Sequence, residues 1–262
     1  MICKIVLKSV LVLAAVTVAL GGPTRVAAAD EEKPQYYEVR IYTTHTEAQQ
    51  QRVKDYWLNA AVPAYNRMGI QLVGVFTELA DSVTYRIYVL IPCDSLEIFA
   101  AVPARLAADA AYQQAASKYL NAPKSNPAYD RFENSLLVAF NGMKHIAIPP
   151  PGKAPNVFEL RTYLSPSENK GLNKIQMFES GGIPTMKEVG LAPIFYGRTL
   201  VGSHLPCLMY MTSGENLVAH QKHWQGFNDA PVWKRLLNDP QYQDNMNGII
   251  IIMLKRTSAS QI

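Results

Sequence analysis

Between Tyr36 and Thr43 the chain alternates apolar and polar side chains, several of them aromatic or β-branched. Such alternation is typical of a β-strand that has two different faces. From Glu47 to about Met68 the apolar residues recur every three or four positions, which predicts an amphipathic helix. Pro63 is expected to interrupt this helix near its end, because proline cannot donate a backbone hydrogen bond.

Similar patterns continue to residue 140 and predict two strands, a second helical region and a closing strand. These elements are Ile70–Glu78, Val83–Ile91, Ser95 to about Leu120, and Ser135–Phe140, and a turn at Ala80–Ser82 joins the first two. The predicted order is therefore βαββαβ, the order of a ferredoxin-like unit.

A second unit repeats this order. Its predicted elements are a strand from Val157, a helix from about Glu168 to Val189, strands at Ala192–Leu200 and Pro206–Thr212, a helix at Glu215–Leu237 and a strand at Gly248–Leu254. The residues themselves also return, at a constant offset of 121. Tyr36, Glu38, Arg40, Tyr42, Pro63 and Gly69 correspond to Val157, Glu159, Arg161, Tyr163, Pro184 and Gly190. Matches that keep one register across a whole unit indicate a duplicated domain.

Each repeat would form a sheet with both helices on one face, so the other face needs a cover. The equivalent face of the second repeat can supply that cover within one chain. We therefore predict an α+β fold in which two tandem ferredoxin-like βαββαβ repeats form an intramolecular dimeric α/β-barrel. The predicted domains are 30–148 and 156–262, joined by a proline-rich linker at 149–155.

The first 29 residues have the features of an export signal. Lys4 and Lys8 form a basic start, Ser9–Leu20 is apolar, and Ala27–Ala29 supplies small residues for cleavage. The apolar run is shorter than the roughly 20 residues of a membrane-spanning helix, and an uncleaved anchor is the alternative. We expect a signal peptide at 1–29, a periplasmic or extracellular protein, and no stable membrane insertion after cleavage.

The charge of the chain argues against one class of partner. The signal segment contains three of the 25 basic residues and none of the 21 acidic residues, so its removal leaves the protein nearly neutral. No run of Lys or Arg interleaved with aromatic residues follows it. We therefore expect no nucleic-acid partner.

Two cysteines, Cys93 and Cys207, remain after the signal. Export would permit a disulfide between them. Because apolar Leu, Ile and Met residues surround both, we expect two buried free thiols.

The candidate binding residues come from the repeated first strands. Alternation places Glu38, Arg40 and Tyr42 on one face, and the second repeat carries the same set. Because the opposite face is more apolar and would suit the helices, we expect the Glu-Arg-Tyr face to point into the barrel. There the Arg and Tyr side chains would donate to an anionic or carbonyl ligand in a central pocket. The alternative is a network of internal ion pairs that fixes how the two sheets meet.

Several motifs resemble the NIPSNAP family. They are the strands YEVRIYT and FELRTYL, the helix ends VPAYNRMG and IPTMKEVG, and the segment from Phe227 to Trp233. The resemblance covers nearly all of the chain beyond the signal, as two tandem domains. It implies a dimeric α/β-barrel, in agreement with the fold predicted above. The activity stays open, because the wider superfamily includes cofactor-free monooxygenases and haem-binding enzymes.

The two copies differ at the last motif, where the first has Tyr112 and the second has Trp233. If only one repeat binds a ligand, we expect it to be the second; packing of a helix end is the alternative role of Trp233. The predicted ligand-binding residues are thus Glu38, Arg40, Tyr42, Glu159, Arg161, Tyr163 and Trp233. We expect no cofactor, and haem is the one that the resemblance leaves open.

No catalytic or metal-binding set appears in the sequence. His220 and His223 lie three positions apart on a predicted helix, but no third ligand has a recognised spacing. We therefore expect solvent-facing or capping histidines and no metal. There is no Gly-x-Ser-x-Gly motif for a nucleophilic serine.

Three functions follow as hypotheses. The first, which we favour, is an exported module that binds a small ligand or another protein. The second is a cofactor-free or haem-dependent monooxygenase-like enzyme that acts on a small aromatic substrate, which requires a spacious cavity beside Tyr42, Tyr163 and the arginines. The third is a scaffold whose barrel is fully packed. A homo-oligomer is compatible with each of them.

Overall fold

The computed structural model describes residues 32–79, 85–148 and 156–262. Three predicted features lie outside these ranges: the signal segment 1–29, the turn at 80–82 and the linker at 149–155. In the described ranges no helix combines the length and apolar character that crossing a membrane requires.

The described strands form one closed barrel. They are β1 Tyr36–Thr43, β2 Gly74–Glu78, β3 Ile87–Cys93, β4 Arg131–Ala139, β5 Val157–Leu164, β6 Ala192–Val201, β7 Cys207–Gly214 and β8 Gly248–Arg256. Their order around the barrel is β1-β3-β2-β8-β5-β7-β6-β4, and all neighbours are antiparallel. Each repeat therefore contributes four adjacent strands with its first strand in the interior of the sheet.

Two seams join the repeats and close the barrel. At one seam β2 pairs with β8, from Phe76 opposite Arg256 to Glu78 opposite Leu254. At the other, β4 pairs with β6, and Ala139 lies opposite Gly197. Because a closed barrel has no free sheet edge at its seams, the duplication completes a fold that one repeat could not close alone. The predicted architecture is confirmed.

The helices pack on the outside of the barrel. They are α1 Glu47–Tyr56, α2 Val62–Arg67, α3 Leu96–Ala108, α4 Ala110–Ala115, α5 Ser117–Leu120, α6 Glu168–Met177, α7 Ile183–Glu188, α8 Leu217–Asp229 and α9 Pro231–Asn238. A π-helical turn joins α1 to α2 at Trp57–Ala61 and α6 to α7 at Phe178–Gly182, and a 3-10 turn follows α9 at Pro240–Tyr242.

The π-helical turns correct the expectation that Pro63 interrupts its helix. The N–H of Val62, just before the proline, donates to the carbonyl of Trp57, five residues back. The N–H of Ile183, before Pro184, donates to Phe178 in the same way. One wider turn thus accommodates a residue that has no N–H and whose ring crowds the preceding turn.

Several strands differ from their predicted bounds, and strands β2, β3 and β4 differ most at their starts. Strand β3 begins at Ile87 and ends at Cys93, against the predicted Val83–Ile91. Strand β2 begins at Gly74 and not at Ile70, since Leu72 has a φ of 61°, which lies outside the extended region. Strand β4 begins at Arg131, before the predicted Ser135, because it pairs with β1 along its whole length.

The interior of the barrel is apolar and aromatic. Two ring pairs cross between the repeats, Tyr37 with Phe195 at 5.1 Å and Phe76 with Phe158 at 4.8 Å between centroids. All four side chains are fully buried. They bind the two sheets together through the largest apolar surfaces available.

The expectation that the Glu-Arg-Tyr face points into the barrel is wrong. Tyr37 and Val39 lie in the barrel core, whereas Tyr42 packs with the helices of its own repeat. Strands alone surround the interior, and apolar and aromatic side chains fill most of it, so a charged group there would have no helix side chain as a partner. Between sheet and helices, Arg40 and Arg161 find partners and keep 15% of each side chain exposed.

Candidate functional site

In the first repeat, three of the predicted residues form one hydrogen-bonded chain. Arg40 donates to Glu38 Oε1 from Nε at 2.9 Å and from Nη2 at 2.6 Å, and from Nη1 to the Tyr42 hydroxyl at 3.2 Å. Burial lowers the pKa of Arg40, but Tyr42 and Glu38 outweigh it and raise that pKa well above its usual value. The Tyr42 oxygen also accepts from the Tyr119 hydroxyl at 3.1 Å, so the chain extends to one further tyrosine.

In the second repeat the same carboxylate has three partners. Glu159 accepts from Arg161 Nε at 2.6 Å, and its other oxygen lies 2.5 Å from His220 Nε2 and accepts from the Trp224 indole N–H. Burial raises the pKa of Glu159, but the His220 hydrogen bond and the Arg161 charge outweigh it and hold that pKa below the usual range. The guanidinium of Arg161 also stacks 3.5 Å from the centre of the Trp224 ring.

The position of His220 corrects the expectation of a solvent-facing or capping histidine. Its side chain is buried and faces the sheet. Gly214 makes this approach possible, because a Cβ there would lie 2.9 Å from the His220 Cβ. Sequence reasoning missed both His220 and Trp224 as partners of Glu159, although their i, i+4 spacing places them on one face of α8.

A pair of tyrosines extends the second network. The Tyr163 hydroxyl accepts from Tyr210 at 2.9 Å and from Arg161 Nη1 at 3.4 Å. The two hydroxyl groups carry two protons, but the hydrogen bond between them uses only one of these protons. One of those protons therefore has no acceptor among the described side chains.

Lys174 of α6 is a buried cation beside these tyrosines, with 4% of the residue exposed. Its Nζ contacts the thioether of Met177 at 3.5 Å and lies 5.5–5.7 Å from the ring centres of Tyr163, Phe178 and Trp233. No described carboxylate forms an ion pair with it. Burial accordingly lowers the pKa of Lys174 to about 8.

The two repeats differ most at this cluster. The constant offset of 121 pairs Lys174 with Val53, Tyr210 with Val89, His220 with Phe99, and Trp224 with Pro103. Polar groups in the second repeat thus replace apolar ones in the first, although the surrounding helices and strands are the same. Because packing alone is satisfied by the apolar set, the polar set needs another explanation.

Trp233 lies in the core of the second repeat. Its ring centre is 4.5 Å from that of Phe227 and 5.9 Å from that of Phe178, and 6% of the residue is exposed. The structure therefore brings Trp233 near Tyr163 through Phe178 and Lys174. It places Glu38, Arg40 and Tyr42 in a separate cluster under the helices of the first repeat. A ligand role for these seven residues stays a prediction.

A cavity of about 200 Å³ lies inside one end of the barrel. Its apolar lining includes Val39, Leu160, Met209 and Ile252, and its polar lining includes Thr43, Arg86, Glu133, Ser135, Thr162, Ser203 and His204. Both repeats contribute. The predicted central pocket is thus present, but the opposite strand faces line it. The spacious cavity required of an enzyme was expected beside Tyr42 and Tyr163, and neither residue borders this one.

A haem ligand would need an imidazole nitrogen that faces a large open space. His204 borders the barrel cavity, whose volume is below the roughly 300–1,000 Å³ typical of cofactor sites. His220 has Nε2 against Glu159 and Nδ1 enclosed. Neither imidazole presents a nitrogen to a space large enough for haem, so these residues as placed do not fit it. No group of three metal-ligating side chains occurs in the described part of the chain.

Cys93 and Cys207 are both buried and free, which confirms the expected thiols. Cys93 lies at the end of β3 and Cys207 at the start of β7, so they occupy opposite ends of equivalent strands. Burial raises the pKa of Cys93 to about 12 and raises that of Cys207 as well. Neither thiol is suited to act as a nucleophile near neutral pH.

Several solved structures share the fold. A candidate monooxygenase from Fusobacterium nucleatum superimposes with a TM-score of 0.55 at 11% identity, covering 86% of this chain and 93% of that one. A candidate monooxygenase from Lactobacillus acidophilus has a TM-score of 0.56 at 8% identity, covering 86% and 94%. An anthrone oxidase-like protein has a TM-score of 0.51 at 12% identity, covering 86% and 92%. At these identities the likeness is one of fold alone.

No curated protein matched the sequence. The NIPSNAP family pattern, in contrast, matches twice, over residues 37–139 and 158–261. The two matches begin within one residue of Tyr36 and Val157, the positions where the duplicated strands begin. Together they span most of the chain, and each covers one βαββαβ repeat. The protein therefore belongs to the NIPSNAP family.

Proposed function

We propose that this is an exported small-ligand-binding protein whose ligand enters the open end of the barrel. The cavity of about 200 Å³ carries this proposal. A barrel that served only as a scaffold would fill its interior, since protein cores pack with few voids larger than a water molecule. Here the aromatic ring pairs do not fill the end of the barrel that holds the cavity.

The lining of the cavity indicates the chemistry of the ligand. Apolar side chains such as Leu160 and Met209 form the deep part, and the exposed residues Arg86, Glu133 and His204 surround the mouth. Such a site favours a small molecule with an apolar body and a polar or charged end. The volume limits the buried part to a single ring or a short chain.

Export is supported by the segment 1–29, with its basic start, apolar run and small residues at Ala27–Ala29. Cleavage there would release the barrel from its membrane-targeting segment. N-terminal sequencing of the protein from its native cells tests this, with Asp30 expected as the first residue; an intact Met1 would contradict it.

Filling the cavity should abolish binding. Ile250 and Ile251 are neighbours on β8 with similar exposure, 37% and 44%, but only Ile250 borders the cavity. We expect Ile250→Trp to weaken binding by about tenfold or more and Ile251→Trp to leave it unchanged, because adjacent strand residues face opposite sides. The measurement is saturation-transfer NMR with a panel of small aromatic and aliphatic carboxylates and alcohols. If none of them binds the unmodified protein, or if both variants behave alike, the barrel site is wrong.

A second candidate is an oxidative enzyme that works between sheet and helices of the second repeat. The observation that favours it is the polar set Lys174, Tyr210, His220 and Trp224, which the first repeat lacks. An active site at this place would bring Arg161 and Tyr163 into contact with the ligand, which is the role predicted for them. The fold neighbours include candidate monooxygenases, which supports the enzyme by analogy of fold only.

A haem titration distinguishes a haem-dependent enzyme from a cofactor-free one. We expect no stoichiometric shift of the Soret band, because neither His204 nor His220 presents a free nitrogen to a sufficient space. The purified mature protein would be titrated and followed by absorbance, with the Ile250→Trp variant as a control for haem lodged in the barrel mouth. A shift that saturates at one haem per chain, and persists in that variant, would support a haem-dependent enzyme.

A further inference from the structure

Burial of the Lys174 ammonium costs free energy, and the fold does not require a lysine at this position. Its four-carbon side chain and ammonium lie in the core of the second repeat, and Met177 Sδ is the acceptor that Nζ contacts. A thioether is a weak acceptor for one of three ammonium protons. The equivalent position in the first repeat holds Val53, which is fully buried. The same backbone therefore folds with an apolar side chain at this place.

The surroundings of Nζ are those of an unpaired amine. Three aromatic rings, from Tyr163, Phe178 and Trp233, enclose it at 5.5–5.7 Å. These rings stabilise a cation less than water does, and burial lowers the pKa of Lys174 to about 8. About a tenth of the amine is then neutral at pH 7, and a neutral amine is the form that attacks a carbonyl carbon.

Tyr163, whose ring centre lies 5.6 Å from Nζ, also supplies a proton donor. Tyr163 and Tyr210 share one hydroxyl-to-hydroxyl bond, which leaves one of their protons without an acceptor among the described side chains. The Arg161 guanidinium also donates to the Tyr163 oxygen, so the proton that lacks an acceptor belongs to the Tyr163 hydroxyl. The first repeat also has a hydroxyl pair, in which Tyr119 donates to Tyr42 at 3.1 Å, but it has Val53 in place of the lysine and so lacks the amine.

From these groups we infer that Lys174 is an imine-forming amine for a small aldehyde or ketone bound between sheet and helices of the second repeat. The Nζ lone pair forms a bond to the carbonyl carbon, and the tyrosine pair protonates the carbonyl oxygen. Nζ then loses two protons, one of which restores the tyrosine while the other joins the hydroxyl oxygen. The C–O bond breaks, the oxygen leaves as water, and the C=N bond forms. The step needs no oxidant or reductant and is independent of the ligand in the barrel cavity.

The cover over Lys174 is the weakest part of its helix. Phe178 begins the π-helical turn, and Gly181 within it has a φ of 153°. The first repeat has Ala60 and Ala61 where the second has Gly181 and Gly182. Because glycine lowers helix stability relative to alanine, we expect transient opening of this turn to admit a small molecule to Nζ, and larger carbonyls should react more slowly.

Reductive trapping tests the proposal on the mature protein at pH 7. Formaldehyde, acetaldehyde and benzaldehyde would each be added with sodium cyanoborohydride, and modification of each lysine would be followed by peptide mass spectrometry. Lys170, on the same helix and exposed, is the internal control. We expect Lys174 to react about tenfold or more faster than Lys170, since at pH 7 an amine of pKa near 8 has a neutral fraction roughly two hundred times that of an ordinary lysine.

Two variants test the acid partner. Tyr163→Phe should slow the reaction of Lys174 by about tenfold or more, in line with loss of a general acid. Tyr196→Phe removes a hydroxyl that donates to Met186 and should leave the rate unchanged. Lys174 reacting no faster than Lys170 would overturn the proposal. So would equal rates in the two tyrosine variants, since Lys174 would then be a buried lysine without an acid partner.

Discussion

Replacing Glu159 by Gln should destabilise the protein by about 3–5 kcal/mol, the range measured when one member of a buried charged pair is removed. The carboxylate is 3% exposed and holds Arg161, His220 and Trp224 at once. The glutamine amide has no charge to neutralise the Arg161 guanidinium. Its NH2 group is itself a donor and would lie against one of the groups that donate to the carboxylate. Because α8 contacts β5 through this carboxylate, the loss should appear as weaker docking of that helix.

Glu38→Gln is the matched control. Glu38 is buried to a similar extent, 5% exposed, but its described side-chain contacts are to Arg40 alone. We therefore expect a smaller loss, about 1–3 kcal/mol, from a hydrogen bond to a charged group. Urea denaturation at pH 7 measures both variants. Equal losses would show that His220 and Trp224 add nothing to the stability of the second network.

The pH dependence gives an independent check on Glu159. Its pKa in the folded protein is lower than the usual 4.5, so the native state binds fewer protons than the unfolded state as the pH falls. The stabilisation by its negative charge is complete above pH 4.5 and is lost as the pH falls through the lower, folded pKa. The difference between the unmodified protein and Glu159→Gln should therefore shrink below pH 4.5. A constant difference would exclude the charge as its cause.

The fold could be predicted because the chain repeats its pattern in register. Gly69 and its counterpart Gly190 follow the end of a helix in both repeats, and the alternating first strands match the observed β1 and β5. A repeat of βαββαβ order has few ways to cover its free sheet face. Closure of the barrel therefore follows from the duplication and needs no single contact to be known.

The facing of β1 could not be predicted by alternation, because both faces of that strand are largely buried. Tyr37 and Tyr42 are each fully buried, one in the barrel and one under the helices. The alternation of side chains assigns them to two faces of the strand, but it does not show which face meets the barrel core and which meets the helices. The observed facing gives the Arg40 guanidinium polar partners, since it donates to Glu38 and Tyr42 and 15% of its side chain stays exposed.

The partners of Glu159 and the burial of Lys174 depend on contacts between distant segments. Helical periodicity marks position 174 as a core position, in agreement with Val53 in the first repeat. Comparing the two repeats residue by residue at the offset of 121 would have revealed a lysine on that apolar face. The same comparison pairs His220 with Phe99 and would have marked it as buried. The useful signal was therefore the difference between the repeats, and not only their likeness.

Replacing Lys174 by Met should stabilise the protein at pH 7 by about 3 kcal/mol, from a pKa of 10.5 in the unfolded chain and about 8 in the folded one. The ammonium is 4% exposed, and burial is the cause of the lowered pKa, so the methionine removes a desolvation penalty. Methionine also fills nearly the same volume. A gain of this size from one substitution is uncommon, since most substitutions destabilise.

The sign of the pH dependence follows from the two pKa values. Between pH 8 and pH 10.5 the unfolded chain binds more protons at Lys174 than the folded protein does, so the stability of the unmodified protein rises with pH in that window. The advantage of Lys174→Met is therefore complete below pH 8 and declines toward pH 10.5. No described carboxylate pairs with Nζ, and Tyr163 is the titratable side chain whose ring faces it, so the difference between the two proteins isolates the amine.

Urea denaturation of both proteins at pH 7 and pH 10 measures this difference, with Lys170→Met as the control for losing an exposed lysine from the same helix. Equal stability of the Lys174→Met variant and the unmodified protein at pH 7 would mean that the ammonium is solvated and that its pKa is ordinary. A loss of stability would mean that the amine has a partner in the fold. A gain, in contrast, would show that Lys174 lowers the stability of the second repeat, as expected of a residue retained for its reactivity.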